Sequence, residues 1–205
     1  MRLDVISRLQ VPASIEDYLA GLSKSGRSGM RREHRRAQEA GVTFHRYRHD
    51  EEQLEAKIHR FADLTTQSAT RHGIPALYDT ASLLTMARTP MAALLTAESG
   101  GEVLAGTLAF VHDNVMVLWA AGVEQHGMEE HHAYTFLLHE TIQSICGSAI
   151  TVLDFGRGNV TFKQRRGFTA TDQWTPVFVT AEDPRIESEL VKMDTTIAQM
   201  LGQPA

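Results

Sequence analysis

Three groups of residues have types and spacings that can do chemistry. In the first, Arg157 stands between Gly156 and Gly158, with Asp154 just before them and Asn159 just after. The glycines let the backbone turn closely. That leaves the Arg157 guanidinium free for bidentate contact with a carboxylate or phosphate. Asp154 closes the apolar run Ala149–Phe155. At a strand's end it can act as a general base, or pair with Arg157 or Arg166. The second group is a basic strip. Lys24, Arg27, Arg31, Arg32, Arg35 and Arg36 face a single acid, Glu33, between residues 24 and 36 of a chain whose net charge is −5. Arg27, Arg31 and Arg35 fall four apart, so a helix aligns them on one face. They read either as a solvated face or as an anion-binding stripe.

The third group is the histidines His126, His131, His132 and His139, which crowd together with Glu129, Glu130 and Glu140. Imidazole and carboxylate suit zinc or nickel. No His-Glu-x-x-His spacing occurs, and the expectation is a solvated helix start without a metal. One of these histidines can alternatively serve as base for an amine. Tyr134 reads as core, or as a hydroxyl directed into a cleft. Cys146 reads as a buried thiol, and Trp119 and Trp174 as core or cleft lining.

Composition narrows the setting. The chain has 205 residues, 42% hydrophobic and 22% charged, which suits one globular domain spanning 1–205. It has no apolar run long enough to span a membrane and no signal-like N-terminus. With one cysteine it cannot form an internal disulfide. A cytoplasmic setting and no membrane partner are expected. The mild acidity outside the strip argues against general nucleic-acid binding.

The elements that must position these residues follow from periodicity and punctuation. A first strand is expected at Leu3–Gln10, then a short helix capped by Ser14. The basic segment covers residues 23–41. Gly26 and Gly29 weaken its start as a helix, whereas Met30–Ala40 are good formers that stop at Gly41. A strand at Val42–Tyr47, a helix at Asp50–Arg71 and a helix capped by Asp79 or Thr80 and running through Met86 follow. Residues 92–123 hold three strand-like runs, Ala92–Ala97, Val103–Val111 and Val115–Val123, read as an antiparallel meander. A helix at His131–Ile145 leads to the motif region, 149–168, with a strand at Ala149–Phe155 and a short helix at Val160–Arg166. A strand at Gln173–Thr180 and a helix at Glu187–Leu201 complete the chain. The order predicts an α/β fold with a mixed, partly antiparallel sheet flanked by helices.

The stretch Asp154-Phe155-Gly156-Arg157-Gly158 through Lys163 to Gly167-Phe168 resembles the end of the CelD-like acetyltransferases. Leu22-Ser23-Lys24 through Arg36 and Gly41 resembles that group's basic helix. The group belongs to the GNAT superfamily of acyl-CoA N-acyltransferases and is related to the FemABX aminoacyltransferases, which use aminoacyl-tRNA. The resemblance implies a GNAT-like fold corresponding to the second half of longer relatives. It implies that the strands at Val115–Val123 and Ala149–Phe155 splay apart to admit an acyl thioester. It places the donor's pyrophosphate on the segment after Val123, Glu124–His132, where loop amides and a helix N-terminus favour anions. Val123 and Gly127 thus become donor-binding positions. Gly127 is the segment's single glycine, beside three acids and no arginine. Lys163 occupies the place of the tyrosine that protonates the leaving thiolate in many GNAT enzymes. There it can donate a proton, stabilise charge, bind a phosphate, or sit on the surface.

The expected function is transfer of an acyl group, acetyl in the first instance, from acyl-CoA to a small-molecule amine. Asp154, Lys163 and Tyr134 are the catalytic candidates, and Arg157, Gly156, Gly158, Asn159, Arg27, Arg31, Val123 and Gly127 the binding candidates. Two alternatives stay open: a FemABX-like aminoacyltransferase gripping tRNA through the basic helix, or a catalytically degenerate binding module. An apolar stripe at Leu190, Met193, Ile197 and Leu201 either packs back onto the chain's own sheet or offers a surface for a homodimer, which is the expected assembly.

Overall fold

The apolar alternation at 92–123 folds as read. In the computed structural model, which describes residues 2–176 and 184–200, β3 (Ala92–Ser99), β4 (Glu102–His112) and β5 (Val115–Val123) form an antiparallel meander. β2 (Thr43–Arg48) adds to the free edge of β3. Beyond β5 lie β6 (Val152–Asp154), β1 (Arg2–Gln10) and β7 (Thr169–Trp174), giving a seven-stranded sheet in the order β2-β3-β4-β5-β6-β1-β7. Among the described residues β5–β6 is the parallel pair, and the other pairings are antiparallel. A parallel neighbour needs a long crossover, and α6 (Ala133–Ile145) supplies it.

Alternate residues of β3 enter two separate cores. Ala93, Leu95 and Ala97 pack under α1 (Ile15–Gly21), α2 (Lys24–Glu39) and α6. Ala92 and Leu94 pack under α3 (Leu54–Arg71) and α4 (Thr80–Ala87). Successive strand side chains point to opposite faces, so helices cover both sides of the meander. α8 (Pro184–Met200) lies against β1. Of its expected stripe, Leu190 is half-buried and Met193 is 50% exposed. The Ile197 side chain and Leu201 lie outside the described residues.

The structure corrects four boundaries. Helix α2 begins at Lys24, not at Met30: Ser23 Oγ accepts from Gly26 N at 3.1 Å and caps it. Gly26 is there for proximity, since a Cβ on it would stand 3.0 Å from the Arg165 carbonyl oxygen. The last strand lies at Thr169–Trp174 rather than Gln173–Thr180, because pairing with β1, from Thr169↔Arg8 to Trp174↔Arg2, places it. Residues 177–180 of the expected strand lie outside the described ones. β6 is shorter than Ala149–Phe155. The segment after Val123 contains a short helix, α5 (Gln125–Glu129).

Candidate active site

The site grows from the point where β5 and β6 part. Their register runs Val115↔Val152, Met116↔Leu153 and Val117↔Asp154, and there it stops. Past Asp154 the chain stays with β1: Phe155 N donates to Ser7 O at 2.8 Å and Ser7 N to Gly156 O at 3.0 Å. β5 runs on to Val123 with β4 alone. A wedge therefore opens within the sheet. At the same level, a register shift between Leu108 and Ala109 leaves Trp119 without a partner on β4, a β-bulge. Trp119 is 54% exposed and Ala121 is exposed, although β5 is the fourth of seven strands.

The β6 side of the wedge is a tightly pinned turn. Gly156 and Gly158 take φ of +61° and +73°, which a Cβ would strain, and Asn159 between Gly158 and α7 (Val160–Gln164) takes +42°. Lys163, expected at a surface or at the chemistry, is buried beneath the turn at 5% exposure. Its Nζ donates to the carbonyls of Phe155, Gly156 and Arg157 at 2.6, 3.0 and 2.7 Å. An ammonium has three donors, so all are used. Burial pulls the Lys163 pKa down to about 8, against Asp154 and Asp4, which raise it. Asp154 is also fully engaged, but through neither expected partner: Oδ2 accepts from Arg8 Nε at 2.9 Å and Oδ1 from Gly156 N at 2.8 Å. Arg8 sits on the neighbouring strand across 146 residues of chain, a pairing no local pattern signals. Arg157 keeps 62% of its side chain exposed, with Asp4 at 3.4 Å.

Opposite this turn stands the first turn of α6. The half-buried Tyr134 ring lies 6.2 Å from Phe155 and 5.8 Å from Phe162, centroid to centroid. Its hydroxyl has no hydrogen-bond partner among the described residues, and burial raises its pKa to about 12 despite nearby Arg166. Arg166 stacks 3.7 Å over the Phe162 ring and donates to Thr135 Oγ1 at 3.0 Å and Glu33 Oε2 at 3.3 Å. It thereby ties α7, α6 and α2 together.

Part of the segment expected to hold pyrophosphate is otherwise occupied. Val123 N donates to Ser68 Oγ at 3.2 Å, and Arg71 Nη2 donates to Val123 O at 2.6 Å. A Cβ on Gly127 would stand 3.1 Å from Leu104 Cβ, so Gly127 packs against β4 instead of opening a cradle. The concentrated positive charge lies elsewhere. Along the outer side of α2, an open groove of about 440 Å³ runs between Lys24, Arg27, Ser28, Arg31, Arg32 and Arg35. Arg31 and Arg32 have no ion-pair partner among the described residues, and Arg35 reaches only Glu39 at 3.7 Å.

The crowded histidines separate into two groups. His126, Glu130 and His131 gather around α5. His139 and Glu140 instead meet His34 of α2, which sequence reading did not single out. Trp119 and Trp174, at 54% and 66% exposure, are not core.

A family model described as an acetyltransferase (GNAT) domain matches residues 24–164, well over half of the chain. No curated protein matches the sequence. Among solved structures, FemX superposes with a TM-score of 0.67 at 11% identity, covering 84% of this chain and 60% of its own. L-PGS from Bacillus licheniformis gives 0.63 at 13% identity, covering 94% and 65%. The chain thus spans less than two thirds of either structure. At such identities these likenesses bear on the fold alone. With the family model matching from the basic helix through the Lys163 turn, the chain belongs to the GNAT acetyltransferase-domain family of acyltransferases.

Proposed function

We propose that the chain is an N-acyltransferase that moves an acyl group, acetyl in the leading case, from acyl-CoA to a small-molecule amine in a ternary complex. The observation that carries this reading is the open edge of β5 beyond Val117, inside the sheet and beside an exposed Ala121. An unpaired strand edge accepts an extended, amide-bearing chain as an added strand, and the donor's pantetheine arm is such a chain. The donor's phosphates then lie on the α2 stripe, with Arg27 and Arg31 in the lead, because the cations gather there while Val123 N and O and Glu124 N are already used.

Tyr134 is the proton donor to the leaving thiolate. With a pKa raised to about 12 it stays protonated at neutral pH, and its hydroxyl is uncommitted among the described residues. Lys163 and Asp154 act through the backbone, holding the Phe155–Arg157 turn in shape, and Arg157 takes an anionic group of a substrate. We place the enzyme in the cytoplasm as a homodimer, which light scattering over a dilution series tests; among the described residues no helix is long and apolar enough to cross a membrane.

One observation favours a second reading. A helix with six Lys or Arg between residues 24 and 36, five of them lining one groove, also suits tRNA phosphates, as in an aminoacyl-tRNA-dependent transferase. Thiol release from acetyl-CoA across a panel of amines tests the first reading. Turnover is expected, and Tyr134→Phe should lower kcat by about 100-fold with KM little changed. Absence of turnover with every acyl-CoA, together with salt-sensitive retention of tRNA, would replace the first reading with the second.

A further inference from the structure

His34, His139 and Glu140 are drawn together where α2 packs on α6, apart from the wedge. His34 Nε2 and Glu140 Oε1 lie 2.5 Å apart, and His139 Nδ1 is 3.3 Å from the same oxygen. The two imidazole centroids are 3.9 Å apart, their planes inclined by 37°, so both rings address one carboxylate. Their donor atoms all fall within 4.8 Å of one another. Side-chain exposures are 15% for His34, 8% for His139 and 20% for Glu140. Phe136 stacks on His34 at 5.2 Å and forms one wall.

We propose that His34, His139 and Glu140 form a binding site for a divalent transition metal of the zinc class, bridging α2 and α6. Two imidazoles and a carboxylate are a zinc donor set. Tetrahedral ligands about 2.0–2.2 Å from a metal stand roughly 3.4 Å apart. The His139–Glu140 separation already matches; His34 must withdraw from Glu140 by about an ångström, and its ring must move off that of His139, since imidazoles on two tetrahedral positions hold their centroids about 5 Å apart. Each imidazole binds through a bare nitrogen, so a proton carried on His34 Nε2 or His139 Nδ1 moves to that ring's other nitrogen or, from a charged ring, leaves to solvent. Three protein ligands leave a fourth position for water. The flanking Arg31 and Arg35 are exposed and turned to solvent. The metal would staple the basic helix to the crossover helix.

The test uses the full chain, free of any histidine tag, titrated with ZnCl2 by calorimetry and with CoCl2 by visible absorption. One tight equivalent is expected. His34→Gln and Glu140→Gln should each weaken it at least about tenfold, a loss that even outer-sphere partners of metal ligands produce. His126→Gln, which disables the exposed His126–Glu130–His131 group, should leave it unchanged. Melting curves establish first that each variant folds. If the first two do not, bound Co2+ must shift the ring-proton resonances of His34 and His139 in the native chain. Absence of a stoichiometric site, loss of it in His126→Gln alone, or cobalt shifts confined to His126 and His131 would overturn the proposal.

Discussion

The turn at Asp154–Lys163 and the outer face of α2 are the two most polar, pattern-rich parts of the chain, and the fold treats them in opposite ways. In the turn nearly every charge is spent internally. Lys163 holds three carbonyls, and Asp154 holds Arg8 and the Gly156 amide. On α2 the cations are stacked four apart, where like charges repel, with almost nothing to neutralise them. A residue type suited to chemistry is therefore a poor guide until its partners are counted. A buried, saturated lysine builds the site's wall. An exposed arginine row whose one ion pair is the long Arg35–Glu39 contact among the described residues is stability forgone, which is what a surface kept ready for an anion looks like.

The largest expected effect is on the saturated side. Lys163→Met leaves the Phe155 and Arg157 carbonyls without a donor, each costing about 1–3 kcal/mol when buried, while Gly156 O keeps the Ser7 amide. Global stability should fall by at least about 2 kcal/mol in urea unfolding. A loss under about 1 kcal/mol would mean that the turn holds itself. Arg157→Ala marks the boundary between the two regions. With its side chain 62% exposed and Asp4 at 3.4 Å, stability should stay within about 0.5 kcal/mol. Substrate binding should weaken by about 1.5–3 kcal/mol. A variant that unfolds with no separate binding defect would make Arg157 a structural ion-pair partner.

On the unsaturated side the sign reverses. The combined Arg27→Gln and Arg31→Gln variant keeps helix propensity, removes the two like-charge pairs 27/31 and 31/35, and leaves Arg35 with Glu39. It should be slightly more stable, by about 0.4–1 kcal/mol, while donor binding loses both affinity and salt dependence. A destabilised variant would show that the row has structural partners after all. The smallest effect is a change of pH profile. Glu140 has its pKa lowered from 4.5 to about 2, so it contributes stability above about pH 4.5 that is lost as pH falls toward 2. Glu140→Gln should flatten that acid limb, as read by urea midpoints at successive pH values.

The sequence announced whatever depends on near neighbours. Alternation and the Gly100-Gly101 turn placed the meander, and Ser14 and Asp79 cap helices where expected, accepting from Asp17 N and Ser82 N. The glycine–arginine turn was visible, but its wiring was not, because Arg8 and Asp154 meet across a strand pairing 146 residues apart in sequence. The same distance problem hid His34 from His139 and Glu140. Low propensity at Gly26 and Gly29 misplaced the start of α2, because propensity ignores Arg165 docking on Gly26. β7 was misplaced because Thr169–Trp174 is mostly polar and lies at the sheet edge, where pairing with β1 rather than apolar alternation selects it.

The account stands on the wedge between β5 and β6 as the seat of the donor's acyl arm. Amide hydrogen exchange with and without saturating acetyl-CoA tests this most directly. Slowed exchange is predicted in peptides covering residues 118–123 and 154–158. Unchanged exchange in both, with acetyl-CoA in excess, would contradict the assignment of the wedge as the donor site.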